Sequence, residues 1–204
     1  MKLFYSPTSP YVRKVMVLAH ELGLAGRIET RDCAAHPIKR DLSIVAENPL
    51  GQVPTLIADD GTMIADSRVI CAYLSDLAQA AAPNSVPPLE PRARLRAEID
   101  QALADGILGA ALALRYETAV RPADKLWPEW VSGQWDKIAT TLAHFEAAPP
   151  GERVDIGSIT LACALSYLDL RFADYDWRTR YPALAGWYAV FEKRPSMVAS
   201  VLKG

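Results

Sequence analysis

The sequence predicts a small α/β domain joined to an all-helical one. Three observations carry that expectation. Strand and helix patterns alternate through the first 78 residues, a proline-rich stretch without periodicity follows, and every later pattern is helical. Lys2–Tyr5 reads as a short strand stopped by Ser6-Pro7. Over 10–22, Val12, Val15, Met16, Ala19 and Leu22 share one helical face, and Gly23 ends that helix. Residues 27–31 suit a second strand and 37–45 a short irregular helix. Two further strands, 55–58 and 62–65, flank Asp59-Asp60-Gly61, a hairpin turn signal. A helix over 67–77 completes the domain. Its first half can form a parallel βαβ unit and its second half an antiparallel hairpin.

Pro83, Pro87, Pro88 and Pro91 mark 79–91 as a linker. Beyond it, 93–115 is a long alanine-rich helix. The helix over 130–147 carries the apolar residues Val131, Trp135, Ile138, Leu142 and Phe145. Residues 156–172 are apolar almost without interruption, which for a helix means burial on all sides. Two short helices, 182–192 and 196–202, follow. The expected domains are therefore 1–78 and 92–204.

Composition narrows the function classes. Of 204 residues, 50% are hydrophobic and 23% charged, a globular balance with enough apolar material for a core. The formal net charge is −2 and the pI about 5.9. Chains that neutralise phosphates carry a basic excess, so nucleic acid is not the expected partner. No run approaches the roughly 18 apolar residues of a membrane span. The N-terminus lacks the apolar core and cleavage site of a signal peptide, so a cytoplasmic protein is expected. Cys33, Cys71 and Cys163 are odd in number and far apart, with neither a CxxC nor a zinc spacing. Cys71 and Cys163 sit in apolar helical runs and are expected to be buried. The three histidines are separated and form no H-x-x-x-H, so no metal site is expected.

Three motifs carry chemistry, and each has a plain structural alternative. Ser9-Pro10 is a helix N-cap followed by a proline at the first helical position. The same helix start offers free N–H groups and a positive dipole end, which suit an anion such as a thiolate. No cysteine lies in the Ser6–Tyr11 loop, so the thiol would have to come from a ligand. In Gln52-Val53-Pro54-Thr55, a proline just before a hairpin suits either an ordinary strand entrance or a cis peptide. A cis bond there would present the Val53 N–H and C=O to an extended peptide. Asp66-Ser67 is a routine helix cap. It is also able to hold an amino-acid head group, with Ser67 on the carboxylate and Asp66 on the ammonium charge.

In this order and at this spacing, the motifs resemble those of the glutathione S-transferase superfamily, and within it the bacterial YibF-like members. The resemblance runs through 6–14, 48–56, Asp66-Ser67, 102–107 and 159–171, and so spans essentially the whole chain. It implies a thioredoxin-like N-terminal domain that binds glutathione and an all-α C-terminal domain that supplies the pocket for a second substrate. Ser9 matches the residue that hydrogen-bonds the glutathione sulfur in serine-type members. Val53 matches the backbone partner of the cysteinyl unit, Pro54 the cis proline, and Asp66 and Ser67 the holders of the γ-glutamyl head, with Arg68 beside them. Lys39 and Gln52 fall where relatives bind the glycyl carboxylate. Tyr11 adjoins Ser9 and, with Arg115 and Tyr116, is a candidate for the electrophile pocket.

The implied protein is a cytoplasmic, homodimeric detoxification transferase. It would need no cofactor and use glutathione as co-substrate against a small hydrophobic electrophile. Alternatives on the same fold are a glutathione-binding or regulatory protein, and a glutathione-dependent isomerase, dehalogenase or peroxidase. Pro10 stands where cysteine-dependent members place their cysteine, which disfavours that chemistry. Ser158 stands where the family's helix cap, Ser/Thr-x-x-Asp, has its acid, so a slightly weaker cap at Asp155 is expected.

Overall fold

A computed structural model describes residues 1–81 and 90–203. In chain order the elements are β1 (Lys2–Tyr5), α1 (Pro10–Glu21), β2 (Glu29–Asp32), α2 (Leu42–Val45), β3 (Thr55–Ile57), β4 (Met63–Ile64), α3 (Ser67–Ala81), α4 (Pro91–Ala119), α5 (Pro128–Ala147), α6 (Ile156–Arg171), α7 (Trp177–Arg180), α8 (Pro182–Phe191) and α9 (Pro195–Ala199). They fall into two compact units, Met1–Glu90 with Pro195–Gly204, and Pro91–Arg194.

The first unit is built on one mixed sheet in the order β2-β1-β3-β4. β1 pairs β2 in parallel and β3 antiparallel, and β3 pairs β4 antiparallel. The register aligns Leu3, Leu56 and Ile64 in one cross-strand row, all buried. α1 and α3 pack together and bury Val12, Val15, Ile70 and Leu74. Boundaries move where a local signal was missed. A 3-10 turn over Ala25–Arg27 delays β2 to Glu29. Asp41 accepts from the Ser43 N–H at 2.9 Å and so confines α2 to Leu42–Val45. α3 runs on through alanines to Ala81. Of the expected linker, 82–89 lie outside the described residues, 79–81 continue α3, and Pro91 opens α4.

The second unit is helical. α6 is its centre, buried from Gly157 to Leu168, and packs along α4. Its cap is complete. The Ser158 N–H donates to Asp155 Oδ1 at 2.9 Å, and the Asp155 N–H donates to Ser158 Oγ at 3.0 Å. A hydroxyl thus supplies the reciprocal acceptor expected of an acid, and the anticipated weakening has no geometric basis. Arg153 ties Asp155 (3.0 Å) to Asp100 of α4. The sequence reading placed all of 92–204 in this helical domain, yet residues from Pro195 pack with the first unit. The reason is tertiary: α9 lies against α1 and buries Met197 there. Among the described residues, no helix is long and apolar enough to cross a membrane.

Candidate functional site

One end of the sheet gathers the three motifs. Phe4 is opposite Thr55, so the next step along β1 and β3 sets Tyr5 against Pro54 and leads into Ser6 and Val53. Leu56 is opposite Ile64, so the same end of β4 leads to Asp66. The Ser6–Ser9 loop, Val53-Pro54 and Asp66-Ser67 therefore emerge together from the same edge of the first unit.

Ser9 is half-buried in extended backbone before α1, with Pro10 at the first helical position. Its Oγ accepts the Val12 N–H at 3.3 Å. That is its one side-chain partner among the described residues, and accepting uses a lone pair. The hydroxyl proton remains available to an anion at the N-terminus of a 12-residue helix.

The Val53–Pro54 peptide bond is cis, as is Ala65–Asp66. Among the described residues the Val53 N–H and C=O take no hydrogen bond, which leaves both for a ligand backbone. Asn48 shapes this turn from below. Its Nδ2 donates to Thr55 Oγ1 at 2.8 Å while its Oδ1 accepts the Leu50 N–H at 3.0 Å. Sequence reading missed Asn48, whose signal was burial of a polar residue, visible only in the fold. Asp66 is exposed and accepts the Arg68 N–H at 2.9 Å on Oδ1. Ser67, nearly fully buried, opens α3, and Arg68 is exposed.

The remaining candidates are spread more widely. Gln52 is exposed beside Val53. Lys39 is exposed in the loop after β2, where its N–H donates to His36 Nδ1 at 3.0 Å. The cation that meets the Asn48–Gln52 turn is Arg40, donating to the Pro49 carbonyl and lying about 3.1 Å from where a Cβ on Gly51 would sit. Gly51 has φ +62°, a left-handed backbone that favours glycine, and a Cβ there would be crowded by Val45 and Arg40. Tyr11 is half-buried in the first turn of α1, its ring 5.7 Å from Lys14 Nζ.

Arg115 and Tyr116 are half-buried on α4 in the second unit. Burial pushes the Tyr116 hydroxyl above its ordinary pKa. The charge fields of Arg115 and Tyr116 reach Tyr167 of α6, whose own pKa is raised by burial and opposed by Arg171. Arg171 Nε is buried and has no hydrogen-bond partner among the described residues. The proximity of Tyr167 and Arg171 to Arg115 and Tyr116 was not legible in the sequence, because the apolar run around them carries no facial pattern. Cys33 is no rival nucleophile. Burial, then the Asp41 charge, push its thiol up to about 11, and it donates to the Tyr5 carbonyl at 3.4 Å.

Comparison with known proteins bears on this geometry. Residues 3–83 match the family model for the glutathione S-transferase N-terminal domain, and 128–189 that for the C-terminal domain. The GST-like protein YibF of Escherichia coli K12 is 33% identical over 189 residues, covering 90% of each chain. The chain belongs to the glutathione S-transferase family. A glutathione transferase family member from Pseudomonas fluorescens Pf-5, crystallised with glutathione, is 43% identical with TM-score 0.94 over 100% of this chain and 99% of that one. A structure of a family member from the same strain holds S-(propanoic acid)-glutathione, with 42% identity and TM-score 0.89 over 99% of each chain. A glutathione S-transferase from Methylobacillus flagellatus KT with glutathione bound is 32% identical, TM-score 0.83, over 99% of each. The glutathione S-transferase fold expected from the motifs is thus the fold of this chain, a thioredoxin-like unit followed by a helical one.

Proposed function

We propose that this protein is a serine-type glutathione transferase that ionises the glutathione thiol at Ser9 for attack on a small hydrophobic electrophile. The observation that carries the reading is the Ser9 hydroxyl. It caps α1 by accepting from Val12 and so keeps its proton to donate. The glutathione structures of the 43% and 32% identical relatives support the choice of ligand. S-(propanoic acid)-glutathione, held by the 42% identical Pseudomonas relative, is a thioether, the class of compound that thiolate attack leaves behind.

In this reading the Val53 backbone pairs with the cysteinyl unit beside Pro54. Asp66, Ser67 and Arg68 hold the γ-glutamyl head, and Lys39 and Gln52 take the glycyl carboxylate. A free thiol has pKa about 8.5, and lowering it by about two units needs about 2.7 kcal/mol of preference for the thiolate. A hydrogen bond to a charged group contributes about 1.5–3 kcal/mol. A helix N-terminus adds about 0.3–1, or up to about 2 when partly buried. The two suffice without a general base, and the thiol proton passes to solvent. The thiolate lone pair then forms the C–S bond, while the leaving group departs with its electron pair or an activated alkene takes up a proton from water. The electrophile would meet Tyr11, Arg115 and Tyr116. The same reading makes the protein a cytoplasmic homodimer acting in detoxification.

Ser9, Val53-Pro54 and Asp66-Ser67 are all present, which favours a protein competent to bind glutathione over one that has lost that affinity. Calorimetry with glutathione, followed by conjugation assays on a panel of electrophiles, tests the proposal. One site per chain and turnover of at least one electrophile are expected. Binding without turnover would move the assignment to the binding protein, and no binding would end it.

A further inference from the structure

The segment from Pro195 returns to the first unit and reaches the loop that carries Ser9. That loop has few ties of its own. The Ser9 N–H donates to the Ser6 carbonyl at 3.1 Å, and the Ser6 and Thr8 hydroxyls lie 3.4 Å apart. Against it lies a cavity of about 230 Å³ whose walls include Ser6, Ser9, Arg13, Met16, Ser200 and Leu202. On this side, open to solvent, the loop has no packed neighbour to hold it by contact. Directional bonds must therefore hold it. Among the described residues, one hydrogen bond reaches the loop from outside the loop and α1: the Lys203 N–H donates to the Pro7 carbonyl at 3.0 Å.

The residues before Lys203 are themselves anchored on α1. Arg13, four residues beyond Ser9 on the same helix and only 6% exposed, donates from Nη2 to the Met197 carbonyl at 3.0 Å. Met197 is fully buried, and the Ser196 hydroxyl donates to Glu21 at 2.5 Å. The Ser200 hydroxyl donates back to the Ser196 carbonyl at 2.7 Å. A guanidinium that spends a hydrogen bond on one backbone carbonyl in a buried place orients the chain it touches.

We propose that residues 196–203 form a strap that sets the position of the Ser9 hydroxyl, with Arg13 and the Lys203 N–H as positioning groups. The inference rests on Ser9 being the thiolate's donor. Lys203→Pro removes the N–H of the strap's last bond, and Lys203→Ala, which keeps that N–H, controls for the lost side chain. Thiolate absorbance at saturating glutathione, titrated against pH, reads the effect.

Lys203→Pro is expected to keep the wild-type melting temperature and, at a pH where the bound thiol is protonated, the wild-type glutathione affinity. It should raise the bound thiol's pKa by about 0.5–1 unit, a part of the rise produced by Ser9→Ala. In a Ser9→Ala background the same change should add nothing, because its effect runs through the missing hydroxyl. Arg13→Gln should shift the pKa in the same direction; if its buried site does not fold, Lys203→Pro carries the test. An unmoved pKa in Lys203→Pro, or an equal increment in both backgrounds, would overturn the strap. A wild-type protein whose thiolate band titrates together with that of free glutathione would instead overturn the thiolate reading, and the strap with it.

Discussion

Ser9 is able to combine two roles that sequence alone leaves as alternatives, the helix cap it makes and the proposed donor to a ligand. Capping occupies an oxygen lone pair through the Val12 N–H, and donation occupies the hydroxyl proton, so neither excludes the other. Asp66 is similar, since one carboxylate oxygen accepts from Arg68 while the side chain faces solvent. Asp66→Ala should weaken glutathione binding about tenfold or more by calorimetry while leaving the rate at saturation nearly unchanged, because its proposed partner is the head group far from sulfur. A collapsed saturating rate with unchanged affinity would contradict that role. Cys33 gives a test by pH. A raised pKa means that the folded state favours the protonated thiol, so reactivity stays low until pH approaches about 11. At pH 8 about 0.1% of such a thiol is thiolate, against about a quarter of a free one. Iodoacetamide at pH 8 should label native Cys33 far more slowly than free glutathione, and labelling at equal rates would contradict its burial.

Elements with a local signal were legible, and those fixed by packing were not. The start of α1 follows from Ser9-Pro10, and the β3–β4 hairpin from Asp59-Asp60-Gly61, because cap and turn chemistry are written in adjacent residues. The delay of β2 to Glu29 was not legible, since nothing in Ala25-Gly26-Arg27 distinguishes a 3-10 turn from a strand entrance. Within α6, apolar residues on every face hide which ones meet α4, so Gly157 looked unremarkable. It is a point of close contact between the two helices. A Cβ there would sit 2.6 Å from Asp100 Cβ and 2.8 Å from the Ala97 carbonyl oxygen. Alanine normally gains about 1 kcal/mol over glycine inside a helix, but overpacking costs about 1–3 kcal/mol and the carbonyl cannot yield cheaply. Gly157→Ala should therefore lower Tm, by up to roughly 8 °C, in a thermal melt. A rise in Tm would mean that α4 and α6 separate more readily than their packing suggests.

At the scale of the molecule, the division at the proline-rich stretch was legible from composition. The return of the last residues to the first unit was not, because a five-residue helix has no pattern that names its partner. The electrophile is likewise unwritten in the motifs, since the surroundings of Arg115 and Tyr116, with Tyr167 and Arg171 near them, arise from tertiary placement alone. The proposed homodimer should scatter light at twice the 22.3 kDa chain mass at micromolar concentration, and a monomer mass would contradict it. The central claim is that this fold ionises bound glutathione through one hydroxyl. Titrating the ultraviolet thiolate band of glutathione bound to wild-type and Ser9→Ala protein tests it most directly. Wild type should titrate about two units below free glutathione, and Ser9→Ala one to two units above wild type, as loss of about 1.5–3 kcal/mol requires. Coincident titration curves would leave Ser9 a helix cap and nothing more.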